Sequence, residues 1–423
     1  MVKETVDLLI KKANELVTVN KFSQKPAKKE QMNTLGLIRN GAIAVHEGKI
    51  AALDETRKIE QNFKSETVIN ASGKTVMPGF VDSHTHLVFA GAREEEFESR
   101  LQGASYIEIL AKGGGILKTV NETRKASKEQ LIGIAKQTLD TMLAHGTTTV
   151  EAKSGYGLDS KNEVKCLEAA KELNKTHQAE VVSTFLGAHA VPLEYEGRTE
   201  EYVNLLKEEM IPKIADRRLA EFCDVFCEKG VFNVEQTRKI LNSGKKHGLK
   251  PKIHADELTS FGGAELAAEV NAVSAEHLLF ASEKGLKKMA EKEVVAVLLP
   301  TASFSLMMDK YADARKMINL NVPIALGTDF NPSCWTENMQ IAIAFACRKM
   351  RLTPAEAITA ATINAAHSVN RAEEIGSLER GKKADIIILN MPNHKFLGYR
   401  FGVNLVDKVV KAGTIVVDRE KNA

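Results

Sequence analysis

The segment Asp82-Ser83-His84-Thr85-His86 places two imidazoles at positions i and i+2. On a β-strand alternate residues share a face, so both rings point to one place. Two neutral imidazoles side by side suit a divalent transition metal such as zinc. Two ordinary core or surface histidines are the plainer reading of this motif alone. Three more groups sit at the ends of apolar runs: His254 in Ile253-His254-Ala255-Asp256-Glu257, His277 in Ser274-Ala275-Glu276-His277, and Asp329 in Leu326-Gly327-Thr328-Asp329. Each alone is a satisfied polar residue as readily as a ligand. Together they put His, His, His and Asp after four separate strand-like runs, which is the placement a shared rim requires.

The elements that must hold that rim are legible as alternation. Strand-like runs fall at 79–82, 147–152, 181–186, 224–227, 252–255, 272–275, 294–299 and 323–327. Amphipathic helix patterns lie between them, with start signals at Ser127/Gln130, Ser160/Glu163 and Thr353-Pro354/Glu356. Eight strands alternating with helices over about 250 residues is the count of an α/β fold of the (β/α)8 TIM-barrel type, whose chemistry sits at the C-terminal strand ends. The first connection, 83–146, is long enough to carry an insertion. Residues 1–76 instead hold short β-like pieces at 15–19, 41–45, 49–53 and 67–69, with turns expected at Asn40-Gly41 and Glu47-Gly48. The C-terminal end repeats that pattern at 385–389, 405–411 and 414–417. We expect a barrel over 77–379 and a small β-sandwich domain composed of both chain ends, 1–76 plus 380–423.

Bulk properties narrow the class. The 423 residues carry 58 basic and 55 acidic side chains, a net charge of +3 with no long single-sign block. Nothing in that balance calls for nucleic acid or an anionic membrane. No run approaches the ~18 apolar residues of a membrane span, and Met1–Asn20 has no signal-peptide core, so the cytoplasm is the expected compartment. Five cysteines form no disulfide framework in a chain of this length. Cys223 and Cys227 lack a second pair at zinc-finger spacing and read as buried thiols.

The HxH after strand one, His after strands five and six, and Asp after strand eight resemble the amidohydrolase superfamily. Phe80-Val81-Asp82-Ser83-His84-Thr85-His86 and the stretch from Gly376 to Asp385 fit the same pattern. Within it, the chain is similar to the imidazolonepropionase family over nearly its whole length. The matching blocks are Val88–Arg93, Gly113-Gly114-Gly115-Ile116, Glu151–Leu158, Leu186-Gly187-Ala188-His189, His254–Leu258 and Thr328–Pro332. The resemblance implies one divalent ion per chain, Zn2+ or Fe2+, on His84, His86, His254 and Asp329. It implies hydrolysis of the cyclic amide of 4-imidazolone-5-propanoate to N-formimidoyl-L-glutamate, and a homodimer.

Roles for other residues follow from their chemistry within that frame. Glu257, three residues past His254, is the expected general base, returning the proton to the leaving ring nitrogen. His277 assists the water or the developing oxyanion, with or without ligating the metal. Arg93 suits the tail carboxylate; Tyr156 and His189 are expected at the tail or ring; Asn331 at a carboxylate or amide. The family's small turn after Asn331-Pro332 is here Ser333-Cys334-Trp335, so substrate contacts by Ser333 and Cys334 are the departure from pattern. Lys153 raises a second idea, a carbamylated lysine bridging two metals; it follows strand two rather than strand four, where Cys227 or Glu228 would be the alternative bridge. The glycine run at 113–115 lacks a following Gly-Lys-Ser/Thr and reads as flexible backbone over the site. Two rival readings are a heterocycle deaminase, which would have no use for Arg93, and a catalytically silent scaffold, which would not retain the four ligands.

Overall fold

A computed structural model describes residues 3–103 and 114–420. Its centre is an eight-stranded, all-parallel sheet in sequential order. The strands are β1 (Phe80–Asp82), β2 (Thr147–Lys153), β3 (Glu180–Ala188), β4 (Phe222–Cys227), β5 (Lys250–Ala255), β6 (Ser274–His277), β7 (Val295–Leu298) and β8 (Ile324–Leu326). Each coincides with one of the eight expected runs to within a few residues. The sheet closes just beyond its last strand: Asp329 N–H donates to His84 C=O at 3.0 Å and His86 N–H to Phe330 C=O at 2.8 Å. The expected TIM barrel is the observed one, and its seam lies at two of the candidate ligand segments.

Why these runs become parallel strands is visible in their burial. Residues of β2, β6, β7 and β8 are buried on both faces, one side by the packed barrel interior and the other by helices. Helix Lys128–Ala144 begins in a full capping box, Ser127 Oγ accepting from Gln130 N–H and the Gln130 side chain accepting from Ser127 N–H. Thr353 and Glu356 do the same for helix Pro354–Ala361. The third expected start is shifted. Asp159 caps helix Ser160–Thr176, and the Glu163 side chain turns to the preceding loop to accept from Gly155, Gly157 and Leu158 N–H at 3.1, 2.7 and 2.9 Å. A carboxylate satisfies three otherwise orphaned donors of the loop after β2 better than it would serve the helix end.

Both chain ends build one further eight-stranded sheet. Its main path runs Thr414–Asp418, Val406–Lys411, Ile386–Leu389, Thr75–Pro78, Leu8–Val17, Leu37–His46 and Lys49–Glu55, while Thr67–Asn70 pairs with Leu8–Val17. Leu16, Ile43, Val45, Val76, Ile386, Ile388 and Val410 form its apolar face. Asn40-Gly41 does not reverse the chain: it lies inside strand Leu37–His46, with Asn40 at φ 46°, and kinks it. From Pro78 the chain passes into β1 through Gly79, where a Cβ would meet Thr148 Oγ1 at 2.3 Å. The long first connection holds helices Glu94–Leu101, Ile116–Lys125 and Lys128–Ala144. Gly113 of the glycine run lies outside the described residues; Gly115, at φ 75°, donates its N–H to Glu96. No described helix is long and apolar enough to cross a membrane.

Candidate active site

The four strand ends deliver their side chains to one buried point. Ligand-capable atoms of His84, His86 and Asp329 lie within 4.8 Å of one another, as do those of His84, His254 and His277. Asp329 Oδ1 is 3.4 Å from His84 Nε2 and 3.6 Å from His86 Nε2. His84 Nε2, His254 Nε2 and Asp329 Oδ1 are buried without a hydrogen-bond partner. Buried polar atoms are nearly always satisfied, so unpartnered atoms in two groups that share His84 fit a cation there. Asp256, His277 and Asp329 all have positive φ, 50°, 69° and 54°. For non-glycine residues that is costly backbone, sustained where the surroundings fix it.

His277 Nε2 lies 3.6 Å from Glu257 Oε2, so the acid-base candidate stands beside the cluster. Burial pushes the Glu257 carboxyl up to about 8, helped by the Asp329 charge. A bound cation would offset that second contribution and favour the carboxylate. Burial likewise drives His277 down to about 3, leaving it a neutral imidazole. The loop carrying Glu257 is pinned from two sides. Asp256 accepts from Phe261, Gly262, Gly263 and Ala264 N–H. Glu228 accepts from Leu258 N–H at 2.9 Å, Thr259 N–H at 3.3 Å and the Thr259 hydroxyl. Glu228 is thereby spent on that loop rather than turned to a metal, and Cys227 is a buried thiol pushed up by desolvation to about 11.

The substrate-side candidates assemble on the same rim. Arg93 donates from Nε to Thr119 Oγ1 and from Nη1 to Ser333 Oγ, both at 2.9 Å, while its buried Nη2 has no partner. The His189 ring stacks on His86, centroids 4.6 Å apart, with Tyr156 5.6 Å from His86 and 5.3 Å from His189. His189 is held neutral, lowered to about 3 by burial and by His254. Asn331 uses its amide inside its own turn, donating to Asp329 C=O and accepting from Ser333 and Cys334 N–H. Cys334 is buried with its Sγ 3.5 Å from Thr328 C=O. In this turn Trp335 packs edge-on against Phe89 and Phe330.

Beneath the imidazoles lies a layer that the motifs do not announce. Lys153 is fully buried and donates to Asp224 at 2.8 Å and Glu151 at 3.1 Å, with Glu276 at 2.8 Å. Lys252 donates to Glu151 at 2.6 Å. A carbamate on Lys153 would put an anion among three carboxylates, so the bridging-lysine idea fails on charge. Asp224, Lys252 and Glu276 interrupt apolar strands at inward-facing positions, which is the sequence signal that could have found them.

The sequence matches the amidohydrolase family over residues 75–416. It is 52% identical over 418 residues to an imidazolonepropionase of Alkaliphilus oremlandii, covering 98% of this chain and 99% of that one. An imidazolonepropionase of Geobacillus kaustophilus is 52% identical over 419 residues, with 98% and 99% covered. Among solved structures, a zinc-bound adenosine deaminase from Xanthomonas campestris superposes with TM-score 0.71 at 17% identity, covering 99% and 94% of the two chains. Guanine deaminase of E. coli gives 0.71 at 16%, covering 97% and 99%. The deaminases share the fold at low identity, whereas the full-length likeness at half identity is to one family: this chain belongs to the imidazolonepropionases of the amidohydrolase family.

Proposed function

We propose that the protein is an imidazolonepropionase, opening the cyclic amide of 4-imidazolone-5-propanoate with water to give N-formimidoyl-L-glutamate in histidine degradation. The observation that carries this reading is the convergence of the orphaned His84, His254 and Asp329 atoms with Glu257 and the half-free Arg93 on one barrel rim. His84, His86, His254 and Asp329 would hold one divalent ion, Zn2+ or Fe2+, since both accept nitrogen and oxygen ligands. Such an ion supplies a water acidic enough to attack near neutral pH, with a pKa of about 7 for zinc.

The chain's own groups do the rest. Glu257 takes the proton of the attacking water and delivers it to the ring nitrogen as the carbon–nitrogen bond breaks. His277, neutral and buried, donates a hydrogen bond to the charge developing on the carbonyl oxygen. Arg93 pairs with the propanoate through its open Nη2, while Ser333 keeps the guanidinium turned toward the rim. Tyr156 and His189 line the ring, and Asn331 and Cys334 shape the turn that carries Ser333.

The same reading includes a two-part architecture, 77–379 as catalytic barrel and 1–76 with 380–423 as composite β domain, and a cytoplasmic homodimer without nucleic-acid or membrane partners. Native mass spectrometry tests the dimer. The function is tested by following the ultraviolet loss of 4-imidazolone-5-propanoate before and after chelation, with the metal quantified. Turnover that vanishes with the metal and returns on adding Zn2+ or Fe2+ is expected; about one metal per chain without turnover would sink the substrate assignment.

A further inference from the structure

The buried charges under the imidazoles have a geometry of their own. His84 Nδ1 lies 2.8 Å from Glu276 Oε2, and His254 Nδ1 lies 3.0 Å from Asp224 Oδ2. Each carboxylate is held from the other side by an ammonium, Lys153 2.8 Å from both Asp224 and Glu276, and Lys252 3.3 Å from Glu276. Glu151 joins the two lysines at 3.1 and 2.6 Å and also accepts from Thr184 Oγ1. The side chains of Lys153, Lys252, Glu151, Asp224 and Glu276 have no solvent exposure at all. The acid groups around Glu276 would pass for a second metal site, but lysine ammoniums already stand among them.

We infer that Lys153 and Lys252 are positioning residues: through Glu276 and Asp224 they fix His84 and His254 with Nδ1 as the protonated nitrogen and Nε2 free for the metal. A carboxylate beside the far ring nitrogen sets an imidazole's tautomer and raises its donor strength. Here that carboxylate is buried, where an uncompensated anion is untenable, so the lysines are what keep it ionised. The charge count points the same way. Within this layer two ammoniums face three carboxylates, so the buried carboxylates beside the imidazoles are not left uncompensated. This inference rests on the metal reading of the proposed function.

The test is Zn2+ affinity by chelator competition, measured on Glu276→Gln, Lys153→Met and Lys252→Met, with thermal unfolding of the metal-free proteins alongside. Glu180→Gln, at the far end of β3, serves as a destabilised control that touches none of these groups. We expect Kd for Zn2+ to rise about 10–100-fold in Glu276→Gln and Lys153→Met and to stay within about 2-fold in Glu180→Gln. A purely structural role would instead lower unfolding temperature with Kd unchanged. Glu276→Gln is isosteric and decides the matter if a lysine variant does not fold: an unchanged Kd in that variant overturns the inference. A parent protein that binds no Zn2+ or Fe2+ overturns the metal reading itself, which is a separate and recognisable result.

Discussion

Arg93→Met is the perturbation with the most quantifiable consequence. Two of the guanidinium's three nitrogens are committed to Thr119 and Ser333, and Nη2 is buried with nothing to bond. The substrate tail is therefore offered one wholly unshared nitrogen, Nη2, rather than a guanidinium with both Nη atoms uncommitted. A hydrogen bond to a charged group contributes about 1.5–3 kcal/mol. At about 1.36 kcal/mol per tenfold, its loss lowers kcat/KM roughly 10–150-fold, chiefly through KM, because the tail does not change charge during the reaction. Arg93→Lys keeps a cation but loses the planar geometry and should fall between. The assay is ultraviolet loss of substrate across a concentration series, repeated with an imidazolone lacking the carboxylate. With that analogue the variant and parent should be equally slow. An equal deficit on both compounds would refute tail recognition and make Arg93 a support for the Ser333 turn; Ser333→Ala, which removes only the acceptor of Nη1, separates those roles.

Three further outcomes are expected. Glu257→Gln should lose about 10²–10⁴-fold in kcat with metal content unchanged, checked by stopped-flow turnover and metal analysis; activity within tenfold of the parent would remove Glu257 as the base. Chelation should lower the unfolding temperature, because a ligand at 100 times its Kd contributes about 2.7 kcal/mol to the folded state alone; calorimetry with and without chelator measures it. Glu180 is half-buried, which alone would raise its pKa, but Arg371, Lys383 and Lys411 outweigh that and lower it. Its stabilisation is therefore complete above the ordinary carboxylate range and lost as pH falls through the lowered value. Glu180→Gln should cost about 2 kcal/mol at pH 7, less than a fully buried pair because Glu180 and Arg371 keep some solvent contact, and the deficit should shrink in acid urea melts.

Most of the fold was legible because its signals are local. Eight apolar runs alternating with helix patterns, three of them with start signals, point to a parallel sheet, and every run became a strand. Histidines and an aspartate just past four runs followed from the same pattern. What escaped notice is non-local or competes with a local rule. Asp224, Lys252 and Glu276 are single charges in apolar strands, and only the closed barrel reveals that they neutralise one another. Glu163 has capping-box spacing, yet three loop amides claim it. Asn40-Gly41 has turn chemistry, but Leu8–Val17 keeps pairing on both sides of it and Lys49–Glu55 pairs up to Gly41. Glu228 stands at the end of strand four, where a bridging ligand would sit, but its partners Leu258 and Thr259, distant in sequence, claim its carboxylate.

The seam of the barrel gives the protein an assembly clock. The backbone bonds that join the last strand to the first are made by the very segments carrying His84, His86 and Asp329. On the ribosome the two histidines emerge early, and Asp329 follows roughly 250 residues later, on the order of 12–50 s at about 5–20 residues per second. Throughout that interval the two histidines lack the carboxylate that stands beside them in the closed barrel, and only ring closure brings it to them. On the proposed metal reading, the full ligand set of His84, His86, His254 and Asp329 therefore comes together only in a chain whose ring has shut.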